Sequence, residues 1–342
     1  MTAAASSTPR TIPATMTAVV QPAYGDAEVL HVEETAVPTI GAGEVLVRVA
    51  AAGMDRGTWH SMTGRPYLMR VLGFGLRRPK NPVPGLDVAG SVVAIGAEVT
   101  RFAVGDVVFG ASRGSFAEYA AAREDKLARV PAGLSPEQAA VLGISGMTAV
   151  QAVETAGRVA PGQRVLVIGA SGGVGSFAVQ VAKAAGAEVT GVSSTAKTDL
   201  VRALGADHVL DYTRDDVTDG TRTYDLVIDI GGNRRLSRLR RALTPTGTLV
   251  VVGGEDGGSV TGGFGRSLRA VALSPFVHQR LTMVAAKEHH EFLDRLVELV
   301  EAGALTPAID STVTLEQVPD AMRRLEQGQV RGKVAVRVAA SV

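Results

Sequence analysis

The chain has 342 residues, 46% hydrophobic and 20% charged, and its 35 Lys+Arg against 34 Asp+Glu leave a net charge of +1. That length favours two domains over one core, and the near-neutral balance excludes the basic excess of a nucleic-acid footprint. Cysteine is absent, which removes disulfides, thiolate catalysis and Cys-ligated zinc, and no apolar run approaches the ~20 residues that span a bilayer, so neither a nucleic acid nor a membrane is expected as a partner.

Residues 1–15 are rich in Ala, Ser, Thr and Pro and read as a disordered leader. They lack the apolar core of a secretory signal and hold one cation, Arg10, so a cytoplasmic location is the expectation. From Met16 to Leu127 the pattern is β-rich. Val29–Val37 and Glu44–Ala50 alternate as strands, and Val88–Gly96 and Val104–Phe109 follow between Gly, Pro and Asp turns. Pro79 to Pro84 form a loop. Ser135-Pro136-Glu137-Gln138 starts a helix, with Ser as cap, Pro in the first turn and Gln at the reciprocal position.

Beyond that point helices and strands alternate. Strands at Val165–Ile168, Val189–Val192, Val209–Leu210, Leu226–Ile230 and Leu249–Val252, with a further one at Leu281–Ala285, imply a parallel, doubly wound sheet. Glu288–Gly303 is an amphipathic helix. Ala308–Val338 holds strand, helix and strand, too little to fold alone, so it is expected to return to the first domain.

The most informative stretch is Val165-Leu166-Val167-Ile168-Gly169-Ala170-Ser171-Gly172-Gly173-Val174-Gly175. A buried strand, a glycine turn and a helix start make a diphosphate cradle, because the first helical N–H groups are unpaired and glycines admit phosphates closely. Ala170 stands where the strict dinucleotide pattern has Gly. At the end of the next strand, Ser193, Ser194 and Lys197 replace the carboxylate that would accept both ribose hydroxyls. Hydroxyls and a cation donate to a 2′-phosphate, which favours NADPH over NADH; a plain polar loop is the other reading.

These features resemble the medium-chain dehydrogenase/reductase superfamily, and more closely its zinc-free branch of quinone oxidoreductases and enone reductases. The resemblance runs through Gly41-x-Gly43-Glu44-Val45, Pro84-Gly85-Leu86-Asp87-Val88-Ala89-Gly90, Val104-Gly105-Asp106, Gly146-Met147-Thr148-Ala149, the Ala170–Gly175 turn, Gly205-Ala206-Asp207, Ala302-Gly303-x-Leu305-x-Pro307 and Gly328-x-x-Arg331-Gly332-Lys333. It implies an α/β fold: a doubly wound Rossmann domain at 140–286 plus a β-rich GroES-like barrel domain at 16–139, completed by the tail at 287–342. Where zinc-dependent relatives place ligands, this chain has Met54 and Leu86, so no zinc is expected.

By the same resemblance, Ser171, Gly172, Gly173 and Val174 contact the diphosphate, and Ser194, Lys197 and Tyr212 fall at the adenosine ribose and its phosphate. Thr148 lies near the nicotinamide on a helix start, and Gly231 and Gly253 leave room for the cofactor at strand ends. Asp55, His60 and Tyr67 are the candidate catalytic residues, supplying a proton donor or an aromatic lid to a small carbonyl or quinone acceptor. Relatives usually have Asn at Asp55 and often Tyr at His60; His60 equally fits as packing beside Trp59, and Asp87 reads as a buried structural acid. Gly253 to Gly265 reads as a mobile cover or a disordered loop, and Leu273–Val277 faces the acceptor or a partner subunit. Homodimerisation through the edge strand of the parallel sheet is implied. A catalytically silent NADPH-binding regulatory or structural protein is the alternative.

Overall fold

A computed structural model describes residues 12–232, 234–254 and 258–338. The leader expected at 1–15 falls outside this range up to residue 11, and its last residues belong to the fold. β1 (Thr15–Val20) pairs antiparallel with β2 (His31–Ala36), and the Ala14 carbonyl accepts from Val37 N–H at 3.1 Å. The strand expected to start at Val29 starts two residues later, because Ala27–Val29 forms a 3₁₀ turn.

β3 (Glu44–Met54) is the long central strand of the first domain. It is followed by α1 (Arg56–Thr63), a short turn of helix α2 (Tyr67–Met69), β4 (Asp87–Ile95), β5 (Val107–Ala111), β6 (Tyr119–Arg123), β7 (Leu127–Arg129) and α3 (Pro136–Ala140). The strand expected at Val104 begins at Val107, since Gly105 at φ +100° and the Asp106 side chain, which accepts from Ala103 N–H, hold a turn there. Ser135 and Gln138 cap α3 reciprocally, as the spacing predicts.

The second domain runs through α4 (Gly143–Val150), β8 (Arg164–Ile168), α5 (Gly173–Ala184), β9 (Glu188–Ser193), α6 (Thr198–Ala203), β10 (His208–Asp211), β11 (Tyr224–Asp229), α7 (Leu236–Arg241), β12 (Leu243–Val251), α8 (Phe264–Leu273) and β13 (Arg280–Met283). Its six strands are all parallel in the order β10-β9-β8-β11-β12-β13, the doubly wound arrangement. Helices cover both faces, so Val165, Leu166, Val167, Val227 and Ile228 are fully buried, which explains their unbroken apolar run.

The chain then returns. After α9 (His290–Glu301), β14 (Ile309–Val313), α10 (Val318–Glu326) and β15 (Lys333–Arg337) add to the first domain's sheet, whose order is β14-β15-β3-β4-β5-β7 with β6 also on β3. β15 pairs antiparallel with Ala51–Met54. This pairing carries β3 four residues beyond its expected end at Ala50, since the partner comes from the far end of the chain.

One glycine sets how closely α5 can approach β8. A Cβ on Gly175 would stand 2.0 Å from the Gly169 carbonyl oxygen, a backbone atom that cannot yield, whereas a Cβ on Gly43 meets nothing within 4 Å. Gly175→Ala should therefore cost about 1–3 kcal/mol in urea denaturation, and Gly43→Ala should stay within about 0.5 kcal/mol of wild type.

Candidate active site

The crevice lies where the sheet reverses its winding, between the carboxyl ends of β8 and β11. Gly169, at φ +87°, turns the chain out of β8, and Gly172 is the N-cap of α5. The first bond of that helix runs from Ser176 N–H to the Gly172 carbonyl, so the amides of Gly173, Val174 and Gly175 point out of the helix start without an intrahelical acceptor. Ala170 is accommodated because the left-handed conformation falls on Gly169, and Ala170 itself is fully buried with no positive φ.

A cavity of about 550 Å³ begins at this turn and reaches α1. Of the expected residues, Ser171, Gly172, Gly173, Val174, Thr148, Lys197, Gly231, Gly253, Asp55 and His60 line it. Ser193, Ser194, Tyr212 and Tyr67 do not. Ser193 is buried in β9 with its hydroxyl donating to the Ser194 carbonyl at 3.3 Å, and Tyr212 is 53% exposed. Thr148 is not at a helix start: it is the sixth residue of α4, and its hydroxyl donates to the Ile144 carbonyl at 2.7 Å.

Lys197 crosses to the tail, donating to the carbonyls of Gly328 at 2.6 Å and Val330 at 2.7 Å. Two of its three protons are used, leaving one for a ligand. Burial, followed by the charges of Arg331 and Arg56 and despite Asp310, lowers its pKa below the ordinary lysine value. Lys197 and Arg56 thus line the crevice where the adenosine phosphate was expected, with Arg331, paired to Asp199 at 2.6 Å, near Lys197. Asp211 at the end of β10 is a nearby carboxylate, occupied by Thr195, Thr213 and Arg214.

The candidate catalytic residues separate by geometry. Asp55 is the N-cap of α1: Oδ1 accepts from Thr58 N–H at 2.7 Å and from its hydroxyl at 3.2 Å, while Oδ2 is buried without a partner. Its first duty is to start the helix that carries His60. The His60 Nδ1 lies 2.7 Å from the Arg65 carbonyl. A carbonyl only accepts, so Nδ1 carries the proton, and Nε2 can donate only when the ring is imidazolium. The ring also stands edge-on to Trp59 at 5.0 Å, so packing and cavity lining coexist. Tyr67 is 42% exposed with the Arg70 guanidinium 4.7 Å above its ring; it is not among the residues that line the cavity, although its neighbours Pro66 and Met69 are.

Two ion pairs support the site: the first contains Asp87, expected as a buried structural acid, and its Lys333 and Ser145 partners also line the cavity, whereas Arg266 and Asp229 of the second were assigned no role from sequence. Lys333, almost fully buried on β15, donates to Asp87 Oδ2 at 2.8 Å and to Ser145 Oγ at 3.1 Å. The other Asp87 oxygen accepts from Ile144 N–H. Gly53 and Gly143 wall this carboxylate, and a Cβ on Gly143 would meet its Oδ1 at 2.6 Å. Burial pushes the Asp87 carboxyl up to about 7 against the pull of Lys333, with Asp55 adding a like charge. Lys333 appears in the sequence only as part of a motif; the one available signal was a lysine leading directly into the apolar run Val334-Ala335-Val336. The second pair joins Arg266 of α8 to the fully buried Asp229 at the end of β11, with Arg266 also donating to the Arg234 carbonyl at 2.8 Å. It anchors the helix whose Phe264 and Ser267 form the far wall. Of the cover expected over Gly253–Gly265, residues 255–257 lie outside the described residues. Ser259 and Val260 accept from Tyr67 N–H at 2.8 Å and Leu68 N–H at 3.0 Å, closing the cavity rim.

No group of three or more His, Cys, Asp or Glu able to hold a metal occurs among the described residues. Residues 41–132 match the alcohol dehydrogenase GroES-like domain and residues 204–336 the zinc-binding dehydrogenase family. The chain is 32% identical to the 2-methylene-furan-3-one reductase of Solanum lycopersicum, over 98% of this chain and 82% of that protein. The quinone oxidoreductase of Coxiella burnetii superposes with a TM-score of 0.83 at 28% identity, covering 95% of this chain and 100% of that one. A mycobacterial protein solved in complex with NADPH superposes with a TM-score of 0.80 at 26% identity, covering 94% and 99%.

Lys333→Met strands the Asp87 carboxylate and should cost about 3–5 kcal/mol at pH 8 by urea denaturation. The loss should shrink at pH 5.5, because a carboxyl raised by burial takes up a proton there and no longer needs a cation. A loss independent of pH would contradict this account.

Proposed function

The chain belongs to the medium-chain dehydrogenase/reductase superfamily, in its zinc-free quinone oxidoreductase and enone reductase branch, and on that premise we propose that it is an NADPH-dependent, zinc-independent reductase of quinones or α,β-unsaturated carbonyls. The observation that supports this reading is one continuous cavity joining the free amides at the start of α5 to His60.

The residues present fit the coenzyme. The amides of Gly173, Val174 and Gly175 and the positive end of α5 hold a diphosphate. Lys197, with Arg331 and Arg56 at hand, balances a 2′-phosphate. When bound, NADPH supplies the hydride. Reduction then leaves negative charge on the acceptor oxygen, which needs one proton to balance. His60 as imidazolium holds that proton at Nε2 while the Arg65 carbonyl fixes Nδ1. Asp55 acts by positioning α1. Met54, Ile144, Met283 and Val284 make the wall apolar, excluding water and strengthening the electrostatics at the oxygen. Met54 and Leu86 offer no ligand set for zinc, so charge stabilisation is assigned to donors and not to a Lewis acid. The reading includes a cytoplasmic location and a homodimer formed along the free edge of β13.

A coenzyme-binding protein without catalysis shares the same cradle and differs only in turnover. Stopped-flow oxidation of NADPH with a quinone and enone panel separates the two: turnover is expected, and none with any acceptor, despite tight NADPH binding, overturns the reductase. His60→Gln should lower kcat by about 10²-fold with NADPH affinity unchanged. Lys197→Ala should weaken NADPH by at least about tenfold and leave NADH nearly unaffected; equal losses for both would remove the 2′-phosphate assignment.

A further inference from the structure

Two stretches distant in sequence contain no acid. Residues 56–86 hold Arg56, Arg65, Arg70, Arg77, Arg78 and Lys80, and residues 257–287 hold Arg266, Arg269, Arg280 and Lys287. In a chain of net charge +1, the remainder is therefore net negative. The fold brings the two stretches together: the backbone bonds from Tyr67 and Leu68 to Ser259 and Val260 join them, and Pro66, Met69, Gly262 and Phe264 line the same cavity. We infer that this cationic, apolar rim of the cleft docks the protein on an anionic membrane surface.

Some of the cations serve the fold. Arg70 donates to the Gly64 and Thr63 carbonyls, Arg266 pairs with Asp229, and Arg280 donates to the Ala156 carbonyl. Arg65, Arg77, Arg78, Lys80 and Arg269 are exposed and form no ion pair among the described residues. Interleaved with them are large apolar side chains held in water: Val71 is 71% exposed, Leu76 69%, Val260 63% and Leu268 59%. Single exposed apolar residues are ordinary, but several interleaved with cations that form no ion pair among the described residues are not.

The charge selects the occupant. A second copy would set the same cations against one another, so self-association through this face is opposed. An anionic bilayer offers both complements at once: headgroup charge for the cations and acyl surface for Val71, Leu76 and their neighbours. Crossing the bilayer is not required, and no helix among the described residues is long and apolar enough to do so; the absence of a spanning run bears on insertion, not on surface contact. Docking of this kind sets the cavity rim against the phase in which an apolar acceptor dissolves.

Vesicle flotation tests this without reference to turnover, so its failure is distinguishable from failure of the reductase reading. The full chain should float with vesicles of equimolar phosphatidylcholine and phosphatidylglycerol, remain unbound with phosphatidylcholine alone, and be released by salt. The triple variant Arg77→Gln, Arg78→Gln, Lys80→Gln should partition about a hundredfold more weakly, and Val71→Ser with Leu76→Ser about tenfold more weakly. Both sets should turn over a water-soluble quinone as wild type does and unfold at the wild-type temperature. No flotation with anionic vesicles at low salt overturns the inference, as does flotation that both variant sets retain. A lipid-free oligomer formed by wild type and lost in the variants would overturn it equally, making the rim a contact between copies.

Discussion

The tertiary arrangement turns on one buried cation. Lys333 comes from the last strand, Asp87 from the start of β4 and Ser145 from the first helix of the second domain, so a single ammonium joins three segments that share no local sequence. Burying such a pair is costly, and the geometry meets that cost by satisfying both carboxylate oxygens, one from Lys333 and one from Ile144 N–H. The glycines at 53 and 143 exist in this light as space for the carboxylate. The register of β15 on β3 is fixed with it, and so is the position of the first domain over the glycine turn, where Lys333 and Ser145 line the cavity beside Gly173.

The same economy governs the acids and bases that face the cavity. Asp55 and Thr148 both look like chemistry in sequence, yet each is first occupied with its own helix, one as N-cap and one donating to a backbone carbonyl. His60 is tied at one nitrogen and open at the other. At the glycine turn the cavity is held by strand ends and a helix start. The opposite wall depends on α8 and on the contact between residues 67–68 and 259–260, and α8 in turn rests on Arg266 and Asp229.

Much of the fold was legible in local pattern. The unbroken apolar run at Val165–Ile168, the capping residues at Ser135 and Gln138, and the alternation of helix and strand each report a preference that acts within a few residues. The departures also have local causes that a pattern reader overlooks, such as the turn at Gly105 that delays β5 and the 3₁₀ turn that delays β2. Where a partner comes from the far end of the chain, as β15 does for the last residues of β3, no local signal exists. The glycine turn was legible because its residues are contiguous, from Gly169 to Gly175. Ser194 and Tyr212 were named through the family resemblance and Ser193 and Tyr67 from their place in the chain, and none of the four lines the cavity, since a strand alternates its faces and a loop residue can turn to solvent.

The sequence by itself determined the doubly wound sheet, the glycine turn at a helix start and the lack of a cysteine-built metal centre, because hydrophobic period, glycine placement and residue type are properties of short segments. Only the tertiary structure decided that Lys333 stands on Asp87, that Lys197 sits among Arg331 and Arg56, and that two acid-free stretches share one rim. Those outcomes depend on charges and carbonyls brought together across hundreds of residues, where energy is set by burial and geometry and not by order along the chain.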